Sequence, residues 1–265
     1  MKALLYIAAA LYAAAFFANL AAVLKKQSGA DAVSFSRASL WALIAALVVH
    51  AAYIGWRGYY GERFPVASIG ETLSVYSFSV AFLTLVVWRR YSERITALIT
   101  LPVALFAIAM SILKMAPPRE LPLILKTIWF ELHVMTSFVA YALFTLAFAA
   151  ALISLVRTLR EHLGADSKDL GTVTIRSVLW GFFFFSVSMF SGAIWGFLAW
   201  GAYWLWEPKI IWSFVLWFAY AAVMHVYYVK NWKAKGVAVG ALIGFVVMMF
   251  TWLGVGMLMK SSHSF

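Results

Sequence analysis

The stretch GVAVGALIGFVVMMFTWLGVGMLM, residues 236–259, contains no charged side chain. A helix needs about 20 predominantly apolar residues to cross the hydrocarbon core of a bilayer, so this stretch predicts a membrane-spanning helix. The whole chain agrees, because 65% of its 265 residues are hydrophobic and only 12% are charged. Soluble domains usually carry about a quarter charged residues, and this composition therefore excludes an ordinary soluble fold.

Seven other stretches have the length and hydrophobicity of membrane spans. The eight predicted spans are residues 4–24, 38–56, 71–88, 95–113, 129–156, 177–200, 212–229 and 236–259. Lipid offers the backbone no hydrogen bonds, and long apolar segments satisfy this condition as helices. We find no internal repeat. We therefore expect an all-α integral membrane protein with about eight transmembrane helices, folded as a single membrane domain over residues 1–265.

The distribution of basic residues predicts the orientation of these spans. Thirteen of the 21 Lys and Arg residues lie in the loops after spans one, three, five and seven, and eight lie on the opposite side. Cytoplasmic loops of membrane proteins carry the excess of basic residues. Both termini and the segment between spans six and seven are therefore expected on the outer side.

The net charge and the absence of cysteine restrict the possible functions. The formal net charge of +11 is explained by basic loops at the membrane surface, so we expect no nucleic-acid partner and a lipid bilayer instead. The chain has no cysteine, and hence no disulfide, thiolate metal site or CxxCH motif of its own. Any thiol chemistry must come from a partner.

A tryptophan-rich segment lies between spans six and seven. It reads WGFLAWGAYWLWEPKIIW, residues 195–212, and its five tryptophans are Trp195, Trp200, Trp204, Trp206 and Trp212. Tryptophans gather at membrane interfaces, but such a belt explains only one or two of them at a helix end. The segment therefore predicts an aromatic binding surface on the outer face.

Two histidines are expected beside this segment and two others inside the bilayer. His133 lies at the outer mouth of span five and His263 in the C-terminal tail. At 1.5 Å per residue, His50 lies about 10 Å below the outer end of span two and His225 about 20 Å down span seven. Ionisable groups inside membranes are costly and suggest function, although a hydrogen bond to a neighbouring helix is the alternative for both. For His133 and His263 the alternative is an ordinary interfacial position.

Two imidazoles beside an aromatic surface form a possible heme site. Paired histidines are the ligands of low-spin heme, and the tryptophans would provide a flat floor for the porphyrin. Gly196 and Gly201 would let the backbone approach closely. Candidate partners for the propionates are Lys209, Arg57, Arg63, Lys114, Arg119 and Lys126.

The segment WGAYWLWEPKIIW, residues 200–212, resembles the WWD-domain signature WGxxWxWDPKxxW of the heme-handling superfamily that includes CcsA, CcmC and CcmF. Its Pro-Lys pair is similar to the CcsA (ResC) branch, which serves system II cytochrome c biogenesis. Further resemblances to CcsA proteins follow in family order: RFPVASIGETL (63–73), ELHVMTSFVAYALF and the ending GVGMLMKSSHSF. The sequence departs from the signature at Glu207, which replaces Asp, and at Ile210 and Ile211.

The resemblance implies specific residue roles. His133 and His263 match the two external histidines that ligate a non-covalently bound heme b beside the tryptophan-rich domain. His225 matches the transmembrane histidine of a second heme, whose other ligand comes from the partner CcsB (ResB). His50 is not assigned by the motif, and it either lines a heme path or bonds to a neighbouring helix.

The resemblance further implies the heme-presenting membrane subunit of a cytochrome c synthase, or heme lyase, in the bacterial cytoplasmic (inner) membrane. With CcsB it would pass heme to the periplasmic face and position it for thioether attachment to CxxCH apocytochrome c. No residue is expected to act as a catalytic nucleophile, so catalysis would consist of orienting two reactants. The alternatives are a heme-delivery or regulatory protein like CcmC or HemX, and a transporter or structural subunit without heme.

Overall fold

The computed structural model describes residues 2–25, 30–117, 121–159, 168–229, 232 and 235–259. Over these residues the secondary structure is entirely helical. Eight of the helices are long and apolar enough to cross a membrane. The predicted all-α architecture with eight spans is confirmed.

The membrane-crossing helices follow one another along the chain, and the described residues between them include two 3-10 turns, Arg94–Thr96 and Leu123–Leu125. They are α1 (Lys2–Leu24), α2 (Ala30–Gly61), α3 (Ile69–Tyr91), α4 (Ala97–Lys114), α5 (Ile128–Leu159), α6 (Lys168–Trp200), α7 (Pro208–Tyr228) and α8 (Lys235–Met249). Helices α2 and α5 contain 32 residues and α6 contains 33, so each extends beyond the roughly 20 residues that a bilayer requires.

The eighth predicted span is divided, unlike the others. Helix α8 ends at Met249, a π-helical turn follows at Phe250–Gly254, and a short helix α9 completes the span at Val255–Leu258. The sequence predicts one continuous span here. A π-turn inserts one extra residue into a helix and is frequent at functional sites.

The chain forms two compact units, Met1–Glu120 and Leu121–Phe265, which are described separately. In the first unit α1 packs against α2 and α4, and α3 packs against α2 and α4. The single membrane domain expected over residues 1–265 stays a prediction.

A buried ion cluster closes one end of the first unit. The Glu71 carboxylate accepts hydrogen bonds from Arg57 Nε at 2.9 Å and from Arg63 at 2.9 and 3.1 Å. It also accepts a bond at 3.0 Å from the backbone N–H of Ala67, and Arg57 donates to the carbonyl of Ala116 at 2.8 Å. The side chain of Glu71 is only 1% exposed. The cluster therefore ties the α2–α3 turn to the residues that follow α4.

Helices α5 to α8 of the second unit meet at a central aromatic layer. The rings of Phe144 on α5 and Tyr220 on α7 are stacked, with centroids 3.5 Å apart. A Cβ atom on Gly181 of α6 would lie 2.5 Å from the Phe144 ring, and one on Gly244 of α8 would lie 2.7 Å from the Tyr220 ring. Two glycines thus let α6 and α8 close on the stacked pair, which brings the four helices together.

Candidate functional site

A cavity lies at the end of the second unit where α5 and α7 begin and α6 ends. It contains about 900 Å³ of space not filled by atoms, a volume that includes the part open to the surroundings. Its lining is mainly apolar, with several aromatic rings and a few polar groups. The lining residues include His133, Ser137, Phe138, Tyr141, Ser188, Gly192, Trp195, Trp200, Trp204, Lys209 and Trp252.

His133 is held against α6 by backbone and side-chain contacts. Its Nδ1 lies 2.8 Å from the carbonyl oxygen of Ser188, which can only accept a hydrogen bond. The proton of the neutral imidazole therefore resides on Nδ1, and the lone pair lies on Nε2. Metal-binding histidines are commonly fixed in this way, with the other ring nitrogen donating to a backbone carbonyl. The Ser188 hydroxyl also donates to the carbonyl of His133 at 3.0 Å.

Gly192 makes the close approach of His133 to α6 possible. A Cβ atom at this position would lie 2.5 Å from His133 Nδ1 and 2.8 Å from Cε1. No side chain fits there while the imidazole keeps its position. Sequence reasoning missed Gly192, although the small and polar residues Ser188, Ser191 and Gly192 in an apolar span are a signal of close helix contact.

Three of the five segment tryptophans line the cavity with His133. The Trp195 ring lies nearly parallel to the imidazole, at an interplanar angle of 16° and a centroid distance of 6.2 Å. Its indole N–H donates to the carbonyl of Ile124 at 2.7 Å, which fixes the ring. Trp200 packs edge-on against Trp195, and Trp204 also faces the cavity. Gly201, with a φ of +74°, provides the left-handed turn that ends α6.

The other two tryptophans of the segment occupy different surroundings. Trp206 is 74% exposed and lies beside Phe214. Trp212 packs against Phe250 at a centroid distance of 4.4 Å. The structure does not bring these two rings to the cavity lining.

Trp252 and Lys209 also line the cavity. Trp252, inside the π-turn, packs against Phe138 and Tyr141 with centroid distances of 5.2 and 5.8 Å. Lys209, the second residue of α7, donates from Nζ to the carbonyl of Thr251 at 2.8 Å and to that of Trp252 at 3.3 Å. Trp252 was missed because residues 236–259 are expected to form a regular span, in which nothing distinguishes this tryptophan.

The basic residues named from the sequence as candidate propionate partners lie in different places. Arg57 and Arg63 bind Glu71 in the first unit, and Lys114 and Lys126 are exposed. Arg119 lies outside the described residues. Among the candidates that the structure describes, Lys209 alone lines the cavity.

The structure describes two of the other four histidines. His162 and His263 fall outside the described residues. His225 lies in the last turn of α7, at the opposite end of that helix from the cavity, and its side chain is exposed. His50 is completely buried in the first unit, where Tyr12 Oη lies 3.1 Å from Nδ1 and Ser74 Oγ lies 2.8 Å from Nε2. These contacts match the alternative in which His50 forms hydrogen bonds to neighbouring helices.

Replacing Tyr12 with phenylalanine should destabilise the first unit without changing any heme bound to the protein. The change leaves His50 Nδ1 buried without its 3.1 Å partner, at a cost of about 1–3 kcal/mol. Thermal unfolding and absorption spectra of the purified protein measure both effects. Tyr6→Phe is the matched control, because Tyr6 lies on the same helix and is 57% exposed. An altered heme spectrum in Tyr12→Phe alone would contradict a purely structural role for His50.

Comparison with known proteins agrees with these features. The family model described as "Cytochrome C assembly protein" matches residues 66–263. That range contains the cavity, the tryptophan-rich segment and the motif around Glu71.

Individual relatives point in the same direction. The chain is similar to proteins named "Cytochrome c biogenesis protein CcsA" from Prochlorococcus marinus (27% identity; 77% of this chain and 76% of the relative) and from Synechococcus sp. (27%; 88% of each). The protein of that name from Porphyra purpurea is 25% identical over 76% of this chain and 78% of its own. The present chain is thus a multi-pass membrane protein of cytochrome c biogenesis, and it belongs to the cytochrome c assembly protein family together with these CcsA proteins.

Proposed function

We propose that the cavity of the second unit holds heme b and presents it to an apocytochrome c, with His133 as an axial ligand. The observation that carries the proposal is the bond between His133 Nδ1 and the Ser188 carbonyl, at 2.8 Å. It places the imidazole lone pair on Nε2, the nitrogen left for an iron atom. The imidazole is therefore oriented before any ligand arrives.

The walls of the cavity suit the rest of the heme. Trp195 lies nearly parallel to the imidazole, and Trp200, Trp204 and Trp252 complete an apolar aromatic enclosure. Lys209 supplies a cation at this wall, and its ammonium has three donors, of which two bind the carbonyls of the π-turn. We assign one heme propionate to Lys209.

The second external ligand is proposed from the family resemblance to be His263. The count of basic residues supports placing the cavity mouth on the outer side of the bacterial cytoplasmic membrane. The side chains of the cavity then bind heme, orient it and exclude water from its faces. Bound heme supplies two vinyl groups for thioether formation with the CxxCH thiols of the apocytochrome. Holding two reactants in register is the contribution that this chain would make to the rate.

His225 is proposed to face a membrane partner of the CcsB type. Exposed residues follow one face of α7 at alternating spacings of four and three, the pattern of a helix–helix seam. They are Ile211, Val215, Phe218, Ala222, His225 and Val229. A histidine exposed to lipid is unfavourable, whereas one covered by a partner helix is satisfied. This position supports a transmembrane heme ligated by His225 and by the partner.

Replacing His133 with alanine should remove most of the heme bound in the cavity, because the axial ligand is lost. The absorption spectrum and heme content of the purified protein test this, with His225→Ala as the companion variant that should affect only the proposed transmembrane heme and leave the cavity heme in place. Added imidazole should restore the spectrum of His133→Ala, since it replaces the lost ligand. Wild-type protein without heme, or His133→Ala with an unchanged spectrum, would refute the proposed site.

Co-expression with a CxxCH apocytochrome separates synthesis from heme delivery. A synthase subunit purifies with a CcsB-type partner and yields cytochrome with covalent heme. A delivery protein binds heme in the same cavity but yields no covalent product, which would support the alternative function.

A further inference from the structure

The π-turn at Phe250–Gly254 changes which backbone groups are paired at the cavity wall. The N–H of Val255 donates to the carbonyl of Phe250, five residues earlier. In a regular α-helix the same N–H would bind the carbonyl of Thr251. The Thr251 carbonyl therefore loses its usual helical partner, and Thr251 itself is completely buried.

Lys209 provides the replacement partner. Its ammonium donates to the Thr251 carbonyl at 2.8 Å and also reaches the carbonyl of Trp252 at 3.3 Å. The Thr251 hydroxyl has its shorter contact with the carbonyl of Val247, at 2.8 Å, and also lies 3.2 Å from the carbonyl of Trp212. The bonds donated by Lys209 are therefore the main link between the start of α7 and the π-turn.

The position of Lys209 is unfavourable for α7 itself. A positive charge in the first turn of a helix opposes the helix dipole, and removing an ammonium group from water adds a further cost. The contacts with the π-turn offset these costs. The lysine of the Glu207-Pro208-Lys209 sequence is therefore explained by what it binds on the neighbouring span.

We propose that Lys209 is a positioning residue, whose ammonium maintains the π-turn and so holds Trp252 in the cavity wall. Without the turn, the residues after Gly254 rotate relative to α8 by about 100°, the angle between successive residues of an α-helix, and Trp252 within the turn rotates by part of this angle. Trp252 then leaves its contacts with Phe138 and Tyr141. The inference rests on the proposed function in one respect, which is that the cavity lined by Lys209 and Trp252 is the site that binds the ligand.

Cysteine labelling tests this rotation directly, because the chain contains no cysteine of its own. Val255→Cys places a thiol just after the π-turn at a position that is 0% exposed, and Ala241→Cys places one before the turn at 0% exposure. Both single-cysteine proteins are treated with N-ethylmaleimide in detergent, without heme. The labelling rates are then measured again in combination with Lys209→Met, which keeps the length of the side chain but removes the ammonium.

Lys209→Met should increase the labelling rate of Val255→Cys about tenfold, which corresponds to losing one charge-assisted hydrogen bond. The labelling of Ala241→Cys should stay unchanged. Lys235→Met, at the exposed start of α8, is the matched control and should affect neither thiol. Lys209→Arg retains donors and should keep Val255→Cys protected.

Two results would overturn the inference. One is equal protection of Val255→Cys with and without the lysine ammonium. The other is a parallel increase at Ala241→Cys, which would make Lys209 a residue of general stability. If the Lys209→Met protein cannot be purified, Lys209→Gln replaces it in the same comparison. Because labelling is measured without heme, a result that contradicts the role of Lys209 is distinguishable from a result that contradicts heme binding.

Discussion

Replacing Glu71 with glutamine should lower the free energy of unfolding of the first unit by about 3–5 kcal/mol, because two buried arginines lose their only described carboxylate. The side chains of Arg57 and Arg63 are 7% and 13% exposed, so solvent cannot compensate them. A glutamine of the same shape keeps one acceptor oxygen but no charge. We expect the melting temperature in detergent to fall by about 10 °C.

The comparison variant for this change is Glu62→Gln. Glu62 is exposed in the same turn, and its neutralisation should shift the melting temperature by about 1 °C or less. Adding Arg63→Met to Glu71→Gln should recover part of the loss, because one uncompensated charge is removed. If the Glu71→Gln and Glu62→Gln proteins have the same melting temperature, the ion cluster does not stabilise the unit as described.

Replacing Gly192 with alanine should reduce heme binding at least tenfold, because the new methyl group takes the place of the imidazole. The added Cβ would lie 2.5 Å from His133 Nδ1, in a ring already fixed by Ser188 and bordered by Trp195. Either the ring leaves its position or the two helices separate, and such overpacking costs about 1–3 kcal/mol. Heme content and the absorption spectrum measure the loss.

Gly171→Ala is the control for this substitution. Gly171 lies on the same helix, and a Cβ atom there meets nothing within 4 Å. Alanine at that position should leave heme binding unchanged and stabilise the helix by up to about 1 kcal/mol. Normal heme binding by Gly192→Ala would show that the position of His133 against α6 is not needed for the ligand.

The architecture was predictable because hydrophobic length alone determines a membrane span. All eight predicted spans correspond to helices, and the errors concern their ends and the π-turn within the eighth span. Helices α2 and α6 begin several residues before the predicted spans 38–56 and 177–200. Those first turns contain charged and hydroxyl side chains, so hydropathy does not detect them. The orientation of the termini stays a prediction.

The parts of the site with an unusual local sequence were predictable. The parts that depend on contacts between distant residues were not. The density of tryptophans and the position of His133 at a helix end identify one side of the cavity. Another part of the lining depends on a hydrogen bond between Lys209 and Thr251, which are 42 residues apart. No local pattern reports such a pair, so the π-turn and the role of Trp252 appear only in three dimensions. For the same reason, the sequence groups Trp206 and Trp212 with tryptophans from which the fold separates them.

The stacked rings of Phe144 and Tyr220 limit how the cavity wall can move. Phe144 also packs against Phe185, which lines the cavity. A Cβ atom on Gly181 or Gly244 would lie 2.5 or 2.7 Å from the stacked rings, so the layer has no room for a further side chain. The wall at Phe185 is therefore backed by close-packed rings, and a ligand in the cavity would meet a surface that cannot yield at that point.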